Sequence, residues 1–337
     1  GIEEPVTRRV LTGIKPTGSP HLGNLLGMFQ PALRLSGEGL DAFYFIADYH
    51  ALTTVQDAKE LRQLTYEVAA TWLAMGLNPD KTLFYRQSDI PEIFELTWVL
   101  DCFTSKGWMN KAHAYKAIVA DKMAAGETDV DAGINMGVYS YPVLMAADII
   151  AFDIDLVPVG KDQVQHVEIA RDIAQRINSA YGKEVLRLPK AKLEENAAIV
   201  PGIDGRKMSK SYGNQIPLFA PPKQMKKVVN SIVTDSTPPE VPKDPDTSTI
   251  FQIYKAIATP AECEELAARY RAGIGWGDAK KTLLERLETE LAEARTRYDA
   301  LMADTSKIDA LLAQGAAKAR VTARKTLDRV RAAVGIA

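Results

Sequence analysis

The stretch Arg9-Val10-Leu11-Thr12-Gly13-Ile14-Lys15-Pro16-Thr17-Gly18-Ser19-Pro20-His21-Leu22-Gly23-Asn24 decides how the rest of the chain is read. Its opening, Arg9 to Ile14, is a short apolar run of strand character. The segment from Lys15 to Pro20 is crowded with Gly, Pro, Thr and Ser, which make tight turns and let a ligand come close to the backbone. From Gly23 on, Leu25, Leu26, Met28, Phe29, Leu33 and Leu35 recur at helical spacing, with a kink expected at Pro31. A strand that turns through glycines into a helix start presents free N–H groups and a positive dipole end, a ready anion site. His21 and Asn24 add side-chain donors there, although a histidine at a helix start is also a natural cap.

The same pattern recurs downstream. Ala42-Phe43-Tyr44-Phe45-Ile46-Ala47 is a second buried strand that ends in Asp48-Tyr49-His50. An amphipathic helix follows over residues 56–75. Thr82 to Ser88 is a third strand with polar residues at its end, and residues 92–104 are helical. Asp155-Leu156-Val157-Pro158-Val159-Gly160 is a fourth strand, and Lys161-Asp162-Gln163-Val164-Gln165-His166 begins the next helix. Strands alternating with helices at this spacing predict βαβ units and a doubly wound parallel sheet of Rossmann-like, α/β class. Ligands then belong at the carboxyl ends of the strands. Residues 106–128 carry Lys106, Lys111, Lys116 and Lys122 among small side chains and read as an exposed insertion. Over residues 189–200 the pattern weakens.

Two further stretches carry chemistry. In Tyr141-Pro142-Val143-Leu144-Met145-Ala146-Ala147-Asp148-Ile149-Ile150-Ala151-Phe152, Pro142 fits a first helical position. Tyr141, Met145, Asp148 and Phe152 then share one face. An acid among Tyr, Met and Phe needs a partner, either in the protein or on a ligand. The second stretch is Lys207-Met208-Ser209-Lys210-Ser211, set between Gly202, Gly205 and Gly213. Two lysines among small hydroxyl residues make a cationic loop suited to phosphate oxygens. With the glycine-rich turn it can hold a triphosphate from both ends.

Composition sets limits. The chain has 337 residues, 46% of them hydrophobic, with 41 Lys plus Arg against 43 Asp plus Glu. A net charge of −2 excludes a uniformly basic surface, so any polyanion must bind at local patches. No apolar run reaches the roughly 20 residues of a membrane span. The N-terminal Gly1-Ile2-Glu3-Glu4-Pro5 lacks the pattern of a secretory leader. Cys102 and Cys263 lack metal-ligand spacing and read as buried or inert thiols. A cytoplasmic protein is expected. After about residue 215, prolines crowd residues 217–222 and 238–245, and the segments around them are helical. This predicts a C-terminal all-α domain, whose last helix, over residues 308–334, carries Lys318, Arg320, Arg324, Lys325, Arg329 and Arg331. That basic strip is a candidate RNA backbone contact, or else a solvated face.

Pro20-His21-Leu22-Gly23-Asn24 resembles the HIGH signature, and Lys207 to Ser211 reads KMSKS verbatim. Together, in this order, they resemble the class I aminoacyl-tRNA synthetases. The stretches Tyr141 to Ile149 and Val157 to His166, with Gly13-Ile14, Pro16-Thr17-Gly18 and Asp48-Tyr49-His50-Ala51, are similar to the tryptophanyl branch in its bacterial form. The resemblance implies a Rossmann-like catalytic domain over residues 1–200. It implies a KMSKS loop and helical anticodon-binding domain over residues 201–337, whose last helix is expected to pack back on the catalytic domain. It further implies ATP over Lys15, Pro16, Thr17, Gly23 and Asn24, its ribose at Gly160, Lys161 and Asp162, and its adenine at Ile199. Lys207, Met208, Ser209, Lys210 and Ser211 would close on the phosphates, with His21, Asn24, Lys207 and Lys210 as the catalytic set.

On the same resemblance, tryptophan would put its indole N–H on Asp148, with Met145, Val157, Val159 and Leu11 as apolar walls and His50 nearby. Tyr141 and Gln163 would hold its ammonium. The product would be tryptophanyl-adenylate and then tryptophanyl-tRNA(Trp). Magnesium would arrive on the phosphates of ATP with no site of its own, and the protein would be a homodimer. Lys15 and Leu11 stand where similar proteins commonly carry Gln and an aromatic residue. A tyrosine enzyme of the same fold would instead aim an extra Gln or Tyr at a phenol, which the Met-Ala-Ala-Asp pattern lacks.

Overall fold

Five strands, β1 (Arg9–Ile14), β2 (Asp41–Ile46), β3 (Leu83–Arg86), β4 (Leu156–Val159) and β5 (Lys190–Leu193), pair in parallel in the order β3-β2-β1-β4-β5. The computed structural model describes residues 2, 7–194 and 199–337. The N-terminal residues read above for a leader, and part of the 189–200 segment, lie outside them. The winding reverses between β1 and β4, so a crevice opens between their carboxyl ends, where open α/β sheets bind ligands.

Apolar side chains on opposite faces of each strand build two cores. On one face Val10, Ile14, Tyr44, Ile46 and Phe84 meet the helix Ala58–Ala74, and the same core runs on into Ile250, Leu283, Leu287 and Leu291 of the C-terminal helices. On the other, Leu11, Phe43, Phe45 and Tyr85 pack with helices Pro91–Cys102, Met136–Ile150 and Val164–Tyr181. The ring of Phe45 lies so close over its cross-strand partner Gly13 that a Cβ there would stand 2.5 Å from it.

The last helix, Thr305–Val334, returns to the sheet. Gly315 lies against β3, where an added Cβ would come within 1.8 Å of the Phe84 carbonyl oxygen. The arginines read as an RNA strip are mostly spent on this docking. Arg320 Nε meets Glu92 at 2.9 Å, Arg329 meets Asp153 at 2.7 Å, and Arg331 meets Glu95 at 2.8 Å. Sequence showed their charge but not the carboxylates opposite, which lie far away along the chain.

Other local expectations change. Pro142 sits inside a helix that begins at Met136, with Asn135 as N-cap accepting from the Val138 N–H at 2.9 Å. Phe152 falls beyond that helix and into the core. At Pro31 the missing N–H is absorbed by a wide π-turn, Leu25–Phe29, just before the helix Gln30–Ser36. β5, inside the segment of weak pattern, is an edge strand whose two lysines give it no apolar signature. Lys161–Gln163 is a short 3₁₀ turn ahead of the Val164–Tyr181 helix. In the exposed insertion, helix His113–Ala124 buries no residue. Cys102 is exposed rather than buried, and both thiols are free. Among the described residues no helix is long and apolar enough to cross a membrane.

Candidate active site

The turn after β1 and the lysine loop meet. Leu22 N–H donates to the Ile216 carbonyl at 2.9 Å, and Gly23 N–H points at the Met208 sulfur at 3.2 Å. Met208 is therefore buried and serves as the loop's anchor, and the surrounding polar residues face outward. Lys210 reaches across to the Thr17 carbonyl with its ammonium, whereas Lys207 is exposed. His21 caps the helix start reciprocally, its Nδ1 accepting from Asn24 N–H at 3.3 Å while Asn24 Oδ1 accepts from His21 N–H at 3.0 Å. Burial lowers the His21 pKa, which keeps the ring neutral and fit for that acceptor role.

The loop has an organiser that the sequence reading missed. Asn214 is buried, with Oδ1 accepting from Ser209 N–H at 2.9 Å and Nδ2 donating to Asp204 Oδ1 at 2.7 Å and to the Lys207 carbonyl at 3.0 Å. Gly202 makes room for it, since a Cβ there would lie 2.3 Å from the Asn214 side chain.

Across the crevice, Asp148 is 1% exposed and has no lysine or arginine partner among the described residues. Its carboxylate accepts from Gln87 Nε2, with His50 Nδ1 at 3.6 Å. Burial lifts its pKa well above the usual range, only partly offset by the Gln87 bond. His50, also buried, is held down to about 4, mainly by burial, and is neutral. An acid in neutral surroundings, its partner a single amide, is an acceptor short of donors. Gln87 is the second missed residue, and its only sequence signal was a polar side chain just past a strand end. The Met-Ala-Ala-Asp pattern carries no Gln or Tyr of its own, but folding brings Gln87 to Asp148 from the end of β3. Tyr85, in β3, adds a fully buried hydroxyl that has no hydrogen-bond partner among the described residues.

At the mouth, Tyr141 Oη lies 2.9 Å from His166 Nε2, and His166 Nδ1 lies 2.8 Å from Gln163 Oε1. Lys15 Nζ stands 6.0 Å from the centre of the Tyr141 ring, and the protein packed around it lowers its pKa. Burial chiefly, then the charge of Asp162, pushes the Tyr141 phenol up to about 12. Of the expected apolar walls, Val157 is buried and Met145 and Val159 half-buried, while Leu11 belongs to the core beneath. Gly160, Lys161 and Asp162 are exposed beyond β4. Ile199 is exposed at the edge of the described residues.

Residues 5–292 match the family model of class I tRNA synthetases for tryptophan and tyrosine (W and Y). The chain is 52% identical to the tryptophan–tRNA ligase of Xanthomonas axonopodis pv. citri over 333 residues, 98% of this chain and 77% of that one. With the Neisseria meningitidis serogroup A tryptophan–tRNA ligase it shares 52% over 330 residues, 98% of each chain. The crystal structure of Campylobacter jejuni tryptophanyl-tRNA synthetase, complexed with ADP and tryptophan, superposes with a TM-score of 0.89 at 43% identity, covering 97% of this chain and 99% of that one.

Proposed function

The chain belongs to the class I tRNA synthetases, in their tryptophan–tRNA ligase branch, and from that premise we propose how its residues divide the work. The enzyme activates L-tryptophan with ATP to tryptophanyl-adenylate and pyrophosphate, then transfers tryptophan to the 3′ end of tRNA(Trp). In our reading Lys15, Pro16, Thr17, Gly23 and Asn24 cradle the ATP phosphates, Gly160, Lys161 and Asp162 take the ribose, and Ile199 covers the adenine. Lys207, Ser209, Lys210 and Ser211 close over the pyrophosphate, with Met208 as their anchor. The tryptophan carboxylate attacks the α-phosphorus and pyrophosphate leaves. His21, Asn24, Lys207 and Lys210 stabilise the charge that develops, so catalysis is positioning plus electrostatics, with no covalent nucleophile. Magnesium, in this reading, arrives with the triphosphate. The described residues contain no group of three or more His, Cys, Asp or Glu arranged for a metal.

The amino-acid pocket rests on Asp148. Its buried, cation-free carboxylate suits the indole N–H, with Met145, Val157 and Val159 as walls, Leu11 beneath and His50 alongside. Tyr141 and Gln163 hold the ammonium. A substrate without that N–H leaves the acceptor unmet, at a cost of about 1–3 kcal/mol, so discrimination needs no editing site. We assign residues 1–200 to ATP and tryptophan, and residues 201–337 to the KMSKS loop and the anticodon. The assembly we propose is a cytoplasmic homodimer. Trp98, 71% exposed on helix Pro91–Cys102, is the kind of surface side chain a second copy would cover.

Amino-acid-dependent ATP–pyrophosphate exchange tests this across the standard amino acids. Exchange with tryptophan alone is expected. Exchange with tyrosine would mean that Gln87 and Tyr85 serve a phenol and would overturn the pocket assignment.

A further inference from the structure

Gln87 is fully buried at the carboxyl end of β3, where it opens the 3₁₀ turn Gln87–Asp89. Its neighbours pin that turn. Asp48 accepts from Ser88 N–H at 3.0 Å and from the Ser88 hydroxyl, and Arg86 pairs with Asp89 at 3.0 Å. The side-chain amide is pinned as well. Its Oε1 accepts from the backbone N–H groups of Tyr49 and His50 at 3.1 and 3.3 Å. Two backbone donors on one atom settle which end of an amide is oxygen. The other end is therefore the NH₂ group, which can only donate.

Its partners are an acid and an imidazole. Nε2 stands 2.9 Å from each oxygen of Asp148 and 2.9 Å from His50 Nδ1. One hydrogen serves the two carboxylate oxygens and the other serves the ring nitrogen. Asp148 Oδ2 and His50 Nδ1 are themselves 3.6 Å apart, just short of a hydrogen bond. The amide is thus wedged between two groups that would pair directly without it. A carboxyl and an imidazole sharing a proton in a buried site satisfy each other. Burial favours a proton on Asp148, which such a pair needs, and the Gln87 bond opposes it. Lone pairs spent on the ring are lost to a ligand.

We infer that Gln87 is a positioning residue that sets specificity: it keeps Asp148 apart from His50 and so holds the carboxylate available to the N–H of the substrate. This rests on the assignment of the indole N–H to Asp148. It goes further by naming the residue that keeps the acid free for that bond and the competitor from which it is kept.

The test is calorimetric titration of the whole protein with L-tryptophan and with benzothienylalanine, in which sulfur replaces the indole N–H at nearly the same shape. The wild type should prefer tryptophan about tenfold or more, the scale of a hydrogen bond to a charged group. Gln87→Met keeps the length of the side chain and removes the donor. Gln87→Asn keeps an amide but is one methylene too short to span both partners. In either variant the preference should fall to about threefold or less, with the Kd for benzothienylalanine near its wild-type value. Adding His50→Phe to Gln87→Met removes the competing nitrogen and should restore part of the preference. A wild-type preference in both single variants, equal weakening of both ligands, or no recovery in the double variant overturns the inference. A wild type that binds the two ligands alike is a separate failure, that of the Asp148 assignment itself.

Discussion

The amide nitrogen of Gln87 stands 2.9 Å from each carboxylate oxygen of Asp148 and 2.9 Å from His50 Nδ1. One NH₂ group thus holds a buried imidazole and a buried acid together, and the acid keeps unused lone pairs. Replacing Asp148 with Asn preserves the size and removes the negative acceptor. Asp148→Asn should raise the tryptophan KM by about 10- to 100-fold, the range expected for a lost charge-assisted hydrogen bond, and leave the ATP KM unchanged. Steady-state exchange kinetics separate the two constants. A parallel rise in both would make Asp148 a structural residue.

His50 gives the pocket a pH signature. Burial above all, with a smaller contribution from the charge of Lys15, holds its folded-state pKa to about 4 against an ordinary value of 6.5. Between those values the unfolded chain binds a proton that the folded chain does not, so stability rises with pH there and falls on acidification. The contribution is at most about 3 kcal/mol. Asp148 works the other way. Its raised folded pKa gives stability that is present below the unfolded value and lost as pH rises through the folded one. Calorimetry of the wild type and His50→Gln from pH 7 to pH 5 isolates the histidine. The variant should lose less of its melting temperature over that interval, and equal losses would rule His50 out as the source.

How much of this was legible in the chain follows from which interactions are local. The strand and turn from Arg9 to Asn24 announced themselves through glycine, proline and apolar runs, and Lys207 to Ser211 through its residue types. Asp148 was marked by the cost of its apolar neighbours. Gln87, His166 and Asn214 gave almost no signal, because each acts on partners brought near only by folding. Gln87 reaches Asp148 from a different strand end. His166 and Gln163 did lie three residues apart at a helix start, the spacing at which side chains meet. β5 escaped because an edge strand with exposed lysines has no apolar period, and Pro142 misled because proline at a helix start is commoner than proline inside.

Gly315 is the point where the last helix touches the sheet. An alanine there would place its Cβ 1.8 Å from the Phe84 carbonyl oxygen, a contact that forces helix and strand apart. Gly315→Ala should destabilise the protein by about 1–3 kcal/mol or more, as overpacking does. It should also strain the pairs of Arg320 with Glu92 and Arg331 with Glu95. Chemical denaturation measures the loss. A variant as stable as the parent would show that the helix can slide along β3 without cost.

The KMSKS loop depends on Asn214 for its shape and on Lys210 for its charge, and the two can be separated. Asn214→Ala removes the acceptor for Ser209 N–H and the donor to Asp204 and to the Lys207 carbonyl. The half-buried Ser209 N–H then loses its acceptor, at about 1 kcal/mol of stability, and the lysines lose their fixed position. Lys210→Met leaves those bonds intact and removes the ammonium that now rests on the Thr17 carbonyl. Its stability should stay near that of the parent, because the group is exposed. Both variants should lose about 10²–10³ in the exchange rate, the scale of one lost transition-state donor, with the tryptophan KM little changed. The melting temperature distinguishes them, falling for Asn214→Ala and holding for Lys210→Met. A Lys210→Met enzyme that kept its full rate would leave Lys207 alone to carry the pyrophosphate, and the closed contact with Thr17 would then be a resting position with no catalytic consequence.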